Sequence, residues 1–329
     1  MIMTTILITG SEGNIGSFLV KKMIELYPDS RFIRVTREKK NSSKREADVV
    51  LVGDLNDQNF IHEIFKKYAI DYLMHAAAYP YSQNGFRYPY DILKNDVTCL
   101  NNVLNNSKTI KKVIYLSSIL VYESSSVVPY TEELTEEIPP PKSPYGIAKY
   151  FCEKAITSFT AQTNIPHTIW RLHNIISPLE KYNEGGSHVY MDFYQKIFIE
   201  KSPTLQMFGN GRQIRCFTWV EDAAEGISKH FFDERTDNQV FNMGSEEEIS
   251  LVELKDEMFR LGKKMGLLKI EYNPPLIITE SGFSGVDSLR RVSSVEKLKR
   301  TLGWSCKTNL STCLTKFIKM VAGNNVFKT

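Results

Sequence analysis

Tyr145-Gly146-Ile147-Ala148-Lys149 sets a phenol and an ammonium four residues apart. On a helix that is just over one turn, so both project from the same face. A free tyrosine has a pKa of about 10, and a fixed cation nearby favours the phenolate. Tyr145 is then a proton acceptor and donor usable near neutral pH, with Lys149 as its tuner. A Tyr and a Lys also meet this way on many amphipathic helices. What lies before and after the pair decides its meaning.

The elements that must position it begin at the N-terminus. Thr5-Ile6-Leu7-Ile8-Thr9 is a short apolar run, as expected of a strand buried on both faces of a parallel sheet. It enters Gly10-Ser11-Glu12-Gly13-Asn14-Ile15-Gly16, after which Ile15, Phe18, Leu19, Met23 and Leu26 recur at helical spacing. In this strand, turn and helix context the glycines let the backbone approach a pyrophosphate at the positive end of the helix. Gly10, Glu12, Gly13, Asn14, Ile15 and Gly16 are therefore expected to line a dinucleotide. The next strand, Arg31 to Val35, ends at Thr36-Arg37. A binder of NAD usually carries an acidic residue there, whereas Arg37 suits a 2′-phosphate. The pair favours NADP(H), with NAD as the alternative. Glu38 and the basic residues Lys39, Lys40 and Lys44 are also compatible with a solvated loop.

A third strand, Val49 to Val52, leads to Gly53-Asp54-Leu55. Asp54 either accepts from an adenine amino group or caps the helix starting near Gln58. Tyr72 to His75 opens into the small residues Ala76, Ala77 and Ala78, where large side chains would block a nicotinamide ribose. His75 reads as a packed, hydrogen-bonded histidine rather than a catalyst. Residues 91–106 carry a helical apolar stripe with Asn95 inside it, either bridging towards the site or simply exposed. Val113 to Leu116 is a fifth strand ending at Ser117-Ser118. Five strands alternating with helices over about 150 residues predict a right-handed parallel βαβ sheet.

Composition narrows the class. The 329 residues can bury a full core. With 41 basic and 38 acidic residues scattered along the chain, the net charge of +3 does not suggest a nucleic-acid surface. Five cysteines without a C-x-x-C pair read as reduced thiols, not as a disulfide frame or a zinc site. No metal site, charged leader or membrane-spanning run is apparent, so a cytoplasmic protein is expected.

Together these motifs resemble the extended short-chain dehydrogenase/reductase family, and within it the nucleotide-sugar epimerases, dehydratases and reductases. The resemblance continues through Arg171-Leu172-His173-Asn174, Gly209 to Arg215, Phe217 to Asp222, Phe241 to Gly244 and Leu302-Gly303-Trp304. It implies an α/β fold: a Rossmann-type doubly wound parallel sheet with a smaller C-terminal α/β substrate lobe. Residues 1–173, with a return segment 217–242, would form the cofactor domain, and 174–216 with 243–329 the lobe. It implies that Ser118, Tyr145 and Lys149 are catalytic, with Tyr145 exchanging a proton with the sugar oxygen and Lys149 holding the cofactor ribose. Cofactor contacts would extend to Thr36, Arg37, Asp54, Leu55, Ala76 to Ala78, Asn95 and Ser117. Asn174, His188, Arg215 and Arg291 (or its neighbour Arg290) would meet a nucleotide-diphosphate sugar, and 204–208 would line the base pocket. The helices carrying Leu100 and Phe151 would pair in a homodimer.

Departures from the family pattern narrow the chemistry. The residues after Ser118 are Ile119-Leu120, where 4,6-dehydratases carry the Asp-Glu pair that eliminates water. GDP-fucose synthase and GDP-mannose 3,5-epimerase place a cysteine base where this chain has Leu120. Gly186-Ser187-His188-Val189 resembles the fucose synthase loop, so His188 matches the acid of a pair whose base is missing. The expected activity is therefore NADPH-dependent reduction of a 4-keto nucleotide-sugar. A nucleotide-sugar 4-epimerase and a 3,5-epimerase/reductase using His188 are the alternatives, and a non-catalytic NADP-binding sensor or scaffold is disfavoured by the retained Tyr-Lys pair.

Overall fold

The computed structural model describes residues 3–38, 45–79, 89–182, 186–279 and 288–324. The basic residues Lys39, Lys40 and Lys44 lie outside them. β1 (Thr5–Thr9) is buried along its length, with Ile6 and Ile8 facing one apolar cluster and Leu7 the other. That two-sided burial is why the run is apolar throughout rather than alternating. After the glycine turn, α1 (Gly16–Leu26) buries Leu19, Val20 and Met23. β2 (Arg31–Thr36) and β3 (Val49–Val52) follow, then α2 (Gln58–Lys67), whose N-cap Asp57 accepts from the Asn59 and Phe60 amides.

β4 (Tyr72–His75), α3 (Pro89–Asn106), β5 (Lys112–Ser118) and a short 3₁₀ turn, Ile119–Tyr122, lead to α4 (Pro144–Thr163). β6 (His167–Leu172), β7 (Asn174–Ile176) and α5 (Val189–Tyr194), continued by a π-turn at Gln195–Ile199, come next. The chain proceeds through β8 (Leu205–Phe208), β9 (Ile214–Trp219), α6 (Val220–Lys229), β10 (Gln239–Met243), β11 (Glu248–Ser250) and α7 (Leu251–Lys264). It finishes with β12 (Leu276–Thr279), β13 (Arg290–Arg291), α8 (Glu296–Leu302) and α9 (Leu310–Asn324).

Seven strands form one parallel sheet in the order β10-β6-β5-β4-β1-β2-β3. The order reverses between β1 and β4, and a ligand crevice is expected outside the carboxyl ends of the strands at such a switch point. Helices α2, α3 and α4 cover one face through Ile61, Leu100, Val103, Cys152 and Ile156. The opposite cluster runs without a break from Ile6 and Met74 through Ala224 to Phe259 and Phe317, so sheet and lobe share a core.

The lobe contains a second sheet, β11-β9-β13 with β7 also on β9, and a parallel pair β12-β8. Residues 217–219 belong to β9 in that second sheet, so the return to the large sheet starts at α6, slightly later than the expected 217. No helix among the described residues is long and apolar enough to cross a membrane.

Candidate active site

α4 begins where local sequence demands it. Ser143 accepts the Gly146 amide at 3.0 Å and Pro144 occupies the first turn, so the helix starts one residue before Tyr145. A Cβ on Gly146 would lie 2.9 Å from the Leu120 carbonyl oxygen, which shows how closely this helix start packs on the turn after β5. The Lys142 and Ser143 amides both donate to Glu123. These contacts bring Tyr145 beneath the end of β5.

There the Ser118 hydroxyl comes near enough to the half-buried Tyr145 phenol to lower its pKa, and it accepts the Leu120 amide at 3.2 Å. It therefore meets the phenol and caps backbone at once. Lys149 is 3% exposed. Its Nζ donates to the Leu116 carbonyl at 2.9 Å and stands 5.6 Å from the Tyr145 ring centroid and 4.9 Å from that of Tyr115. The spacing implied a phenol tuned down towards neutral pH, and Lys149 and Ser118 do pull it that way, but the net shift is the opposite. Burial outweighs them, with Asp96 adding to it, so Tyr145 lies above its ordinary value.

The glycine turn fits a dinucleotide. Gly10 has φ +66°, and a Cβ there would lie 2.7 Å from Ala77 backbone; one on Gly16 would lie 2.0 Å from the Gly10 carbonyl oxygen. The N-terminus of α1 has no side-chain cap and no acidic residue in its first turn, leaving its dipole end for an anion. Asn14 is tied to the lobe, its carbonyl accepting Ser177 Oγ at 3.1 Å. Glu12 is engaged in a buried ion pair with Arg34 of β2. At the end of β2, Thr36 donates its hydroxyl to the Glu38 carbonyl at 2.9 Å, and Arg37 is exposed. A group anchored by these glycines would supply hydride chemistry to whatever Tyr145 faces.

Asp54 neither caps α2 nor stands free: its Oδ1 accepts the amide and Nδ2 of Asn56, and Asp57 is the cap. Asn56 Nδ2 also donates to Asn95 Oδ1 at 3.0 Å, and Asn95 passes a bond to Asp96, so Asn95 bridges β3 and α3. Leu55 is core, its carbonyl held by Asn102. Ala76 to Ala78 are half-buried, and Ala77 donates its amide to Thr9 Oγ1. Thr9 Oγ1 lies 3.0 Å from His75 Nδ1. Burial, aided by Lys149, pushes His75 down to about 3, so it is a neutral packing group. Ser117 turns away from the crevice and donates to Glu153.

That last bond opens a network the motifs did not flag. Arg171 Nε and Nη2 hold Glu153 at 2.7–3.2 Å, while its Nη1 donates to the Tyr122 hydroxyl at 2.6 Å and the Glu132 carbonyl at 2.8 Å. Glu153 follows Lys149 by one further turn on the same helix face, a spacing visible in the sequence. Charged Arg171 inside an otherwise apolar strand was the second signal.

In the lobe, Arg215 and Arg291 are register partners on β9 and β13, so they share a sheet face. Arg215 is 6% exposed and donates to the Ile214 and Ser288 carbonyls. Arg290 instead pairs with Glu248, leaving Arg291 as the partner of Arg215. Asn174 Nδ2 donates to the Cys216 carbonyl at 2.9 Å, pinning β9. His188 directs Nδ1 at both oxygens of buried Glu180, whose Oε2 also accepts the Tyr190 hydroxyl at 2.5 Å. Glu180 raises the His188 pKa. Its ring remains 43% exposed, so the imidazole is oriented by a carboxylate yet open to a ligand.

Comparison with known proteins agrees with this geometry. A putative UDP-glucose 4-epimerase of Methanocaldococcus jannaschii is 27% identical over 97% of this chain and 99% of its own. The crystal structure of the Thermotoga maritima UDP-glucose 4-epimerase with UDP-glucose superposes with a TM-score of 0.81 at 25% identity, covering 97% of this chain and 99% of that one. The Thermus thermophilus UDP-glucose 4-epimerase complex with NAD shares the fold at a TM-score of 0.82 and 20% identity, covering 98% and 100%. The sequence model of the NAD dependent epimerase/dehydratase family matches residues 6–244. The chain is an enzyme of the NAD dependent epimerase/dehydratase family.

Proposed function

We propose that this enzyme carries out hydride chemistry at a single carbon of a nucleotide-diphosphate sugar, in the sense of 4-keto reduction drawing on NADPH. The observation that carries the reading is the Ser118, Tyr145 and Lys149 cluster followed directly by Ile119 and Leu120. Proton transfer is available at the oxygen of one carbon, and the two succeeding side chains supply neither acid nor base for its neighbours.

Arg215 and Arg291 would bind the diphosphate with their planar guanidinium forks. Asn174 and His188 would then orient the sugar so that its keto oxygen meets Tyr145 and Ser118. A dinucleotide whose pyrophosphate is held by the glycine turn would supply the hydride chemistry at the carbonyl carbon. Tyr145 delivers its proton to the developing alkoxide, Ser118 shares that hydrogen bond, and solvent restores the phenol. Lys149 stabilises the transient phenolate and holds the ribose. Exposed Arg37, in place of an acidic residue, supports NADPH.

A second reading, 4-epimerisation with tightly held NAD, is favoured by the likeness to the Methanocaldococcus and Thermotoga UDP-glucose 4-epimerases and by NAD in the Thermus structure. The purified enzyme distinguishes the two. We expect it to oxidise NADPH when given a 4-keto nucleotide-sugar, with Tyr145→Phe lowering turnover about 10²–10⁴-fold. Release of bound NAD, together with interconversion of UDP-glucose and UDP-galactose without added cofactor, would overturn the reductase reading.

A further inference from the structure

Glu180 lies in the turn after β7 and is buried. Four contacts converge on its carboxylate. Oε1 accepts the His188 amide at 2.8 Å and lies 3.0 Å from His188 Nδ1. Oε2 accepts the Tyr190 hydroxyl at 2.5 Å and lies 2.9 Å from the same Nδ1. The amide bond alone would fasten the start of α5. The contacts to ring and phenol also fix the direction of an imidazole that is open to solvent.

That imidazole is backed by the core and tied to the cofactor side. Tyr190, buried on α5, stacks on it with ring centroids 6.0 Å apart and planes 19° apart. The Tyr190 hydroxyl accepts the Ser177 amide at 3.1 Å, and Ser177 Oγ donates to the Asn14 carbonyl of the glycine turn at 3.1 Å. A continuous run of contacts therefore joins the glycine turn to His188. Glu180 is the charged group that acts on His188. Tyr190 keeps its proton, since burial and Glu180 push its pKa up, and the rings of Phe217 on β9 and Phe317 on α9 that meet it are uncharged.

The proton positions follow. Against the rise from burial, His188 and the bonds to Glu180 hold its carboxyl below the ordinary value, so it is ionised and only accepts. Nδ1 then carries a proton whether the ring is charged or neutral. Nε2, on the far side of the ring, changes on titration from a donor to a bare acceptor. Glu180 raises the His188 pKa and so extends the donor state towards neutral pH.

We propose that Glu180 is a positioning residue for substrate: it holds the His188 ring by Nδ1 so that Nε2–H is presented to an acceptor oxygen, phosphate or sugar, of a nucleotide-diphosphate sugar. Glu180 itself touches no reacting atom. The inference rests on the nucleotide-sugar reading above and adds the group that aims His188 and the pH range over which it donates.

Calorimetry on the holoenzyme, with UDP-glucose, dTDP-glucose and GDP-mannose as probes across the neutral pH range, tests it. Affinity for the probe that binds should fall as pH rises through the His188 pKa. Glu180→Gln keeps an acceptor for the His188 amide but not the charge, so its fall should come about one pH unit lower. Between the two midpoints the variant should bind up to about tenfold weaker. Towards acid pH the two should converge, which a merely structural loss would not do. Glu180→Asp should restore part of the wild-type profile. The same difference between wild type and variant for the matching nucleoside diphosphate assigns the contact to phosphate, and its absence assigns it to the sugar. Superimposable profiles of wild type and Glu180→Gln overturn the proposal. Should Glu180→Gln not fold, His188→Gln decides: its affinity should be weak and independent of pH, and a wild-type profile overturns the proposal. If no probe binds the wild type, the nucleotide-sugar reading fails instead, and the ¹⁵N resonances of His188 judge Glu180. A proton kept on Nδ1 throughout the titration supports the positioning, and one that moves to Nε2 sinks it.

Discussion

Glu153→Gln isolates the ion pair that underlies the active-site strand. In the wild type, Glu153 and Arg171 have side chains only 5% and 4% exposed, and the guanidinium makes bonds of 2.7, 3.0 and 3.2 Å to the carboxylate. Glutamine keeps the volume and one acceptor oxygen but removes the charge, stranding a buried guanidinium. Breaking one side of a buried pair costs about 3–5 kcal/mol, and the retained oxygen places this variant at the lower end, about 3 kcal/mol. At about 2.1 cal/mol/K per residue, a chain of this length has an unfolding entropy of about 0.7 kcal/mol/K, so the loss corresponds to a Tm about 4 °C lower. Differential scanning calorimetry measures it directly. Replacing both partners, as in Glu153→Met with Arg171→Met, should recover most of the loss, because two apolar groups of similar volume leave no orphaned charge. A Glu153→Gln variant melting within 1 °C of wild type would refute the premise that this pair is a dry, committed contact.

Gly16→Ala puts a Cβ 2.0 Å from the Gly10 carbonyl oxygen. It should weaken NADPH binding by calorimetry at least about tenfold, or 1.4 kcal/mol, whereas Gly323→Ala, with nothing within 4 Å, should leave it unchanged. Phe151 on α4 is 57% exposed and Val97 on α3 37%. If these helices form the homodimer, Phe151→Asp should bring the light-scattering mass down to 37.8 kDa, and a wild type already at that mass would contradict the dimer.

The sheet was legible because its strands obey one local rule. β1 is buried on both faces, and its apolar run reads as a strand from the sequence alone. The start of α4 follows from a cap that is local in sequence, Ser143 and Pro144 before Tyr145. Where several candidates sit together the local signal fails. Asp54 and Asp57 both precede α2, and only the backbone path decides that Asp57 accepts the helix amides while Asp54 folds onto Asn56. The same limit applies to β9, whose residues 217–219 read as part of the cofactor domain. Sheet membership depends on long-range pairing, here with β7, β11 and β13, which no local pattern encodes.

The active site divides along the same line. The clustering of Ser118, Tyr145 and Lys149 was legible because Tyr145 and Lys149 are helix neighbours and Ser118 ends a strand. The buried polar network beneath them was not, because each of its members takes its meaning from a partner far away in the chain. Ser117 meets Glu153 across 36 positions, and Arg171 reaches Glu132 across 39. Asp96 looks like any polar residue on α3 until the fold buries its carboxylate against the Tyr79 amide and Asn95. This separation has a chemical consequence. The Tyr145–Lys149 spacing sets a phenol beside an amine, and the spacing alone leaves the operating pH undetermined. In this chain that pH depends on burial, which holds the phenol up, and on Lys149, which draws it down. On the proposed reductive reading, Ile119 and Leu120, which carry neither acid nor base, would confine proton transfer to the oxygen of one carbon.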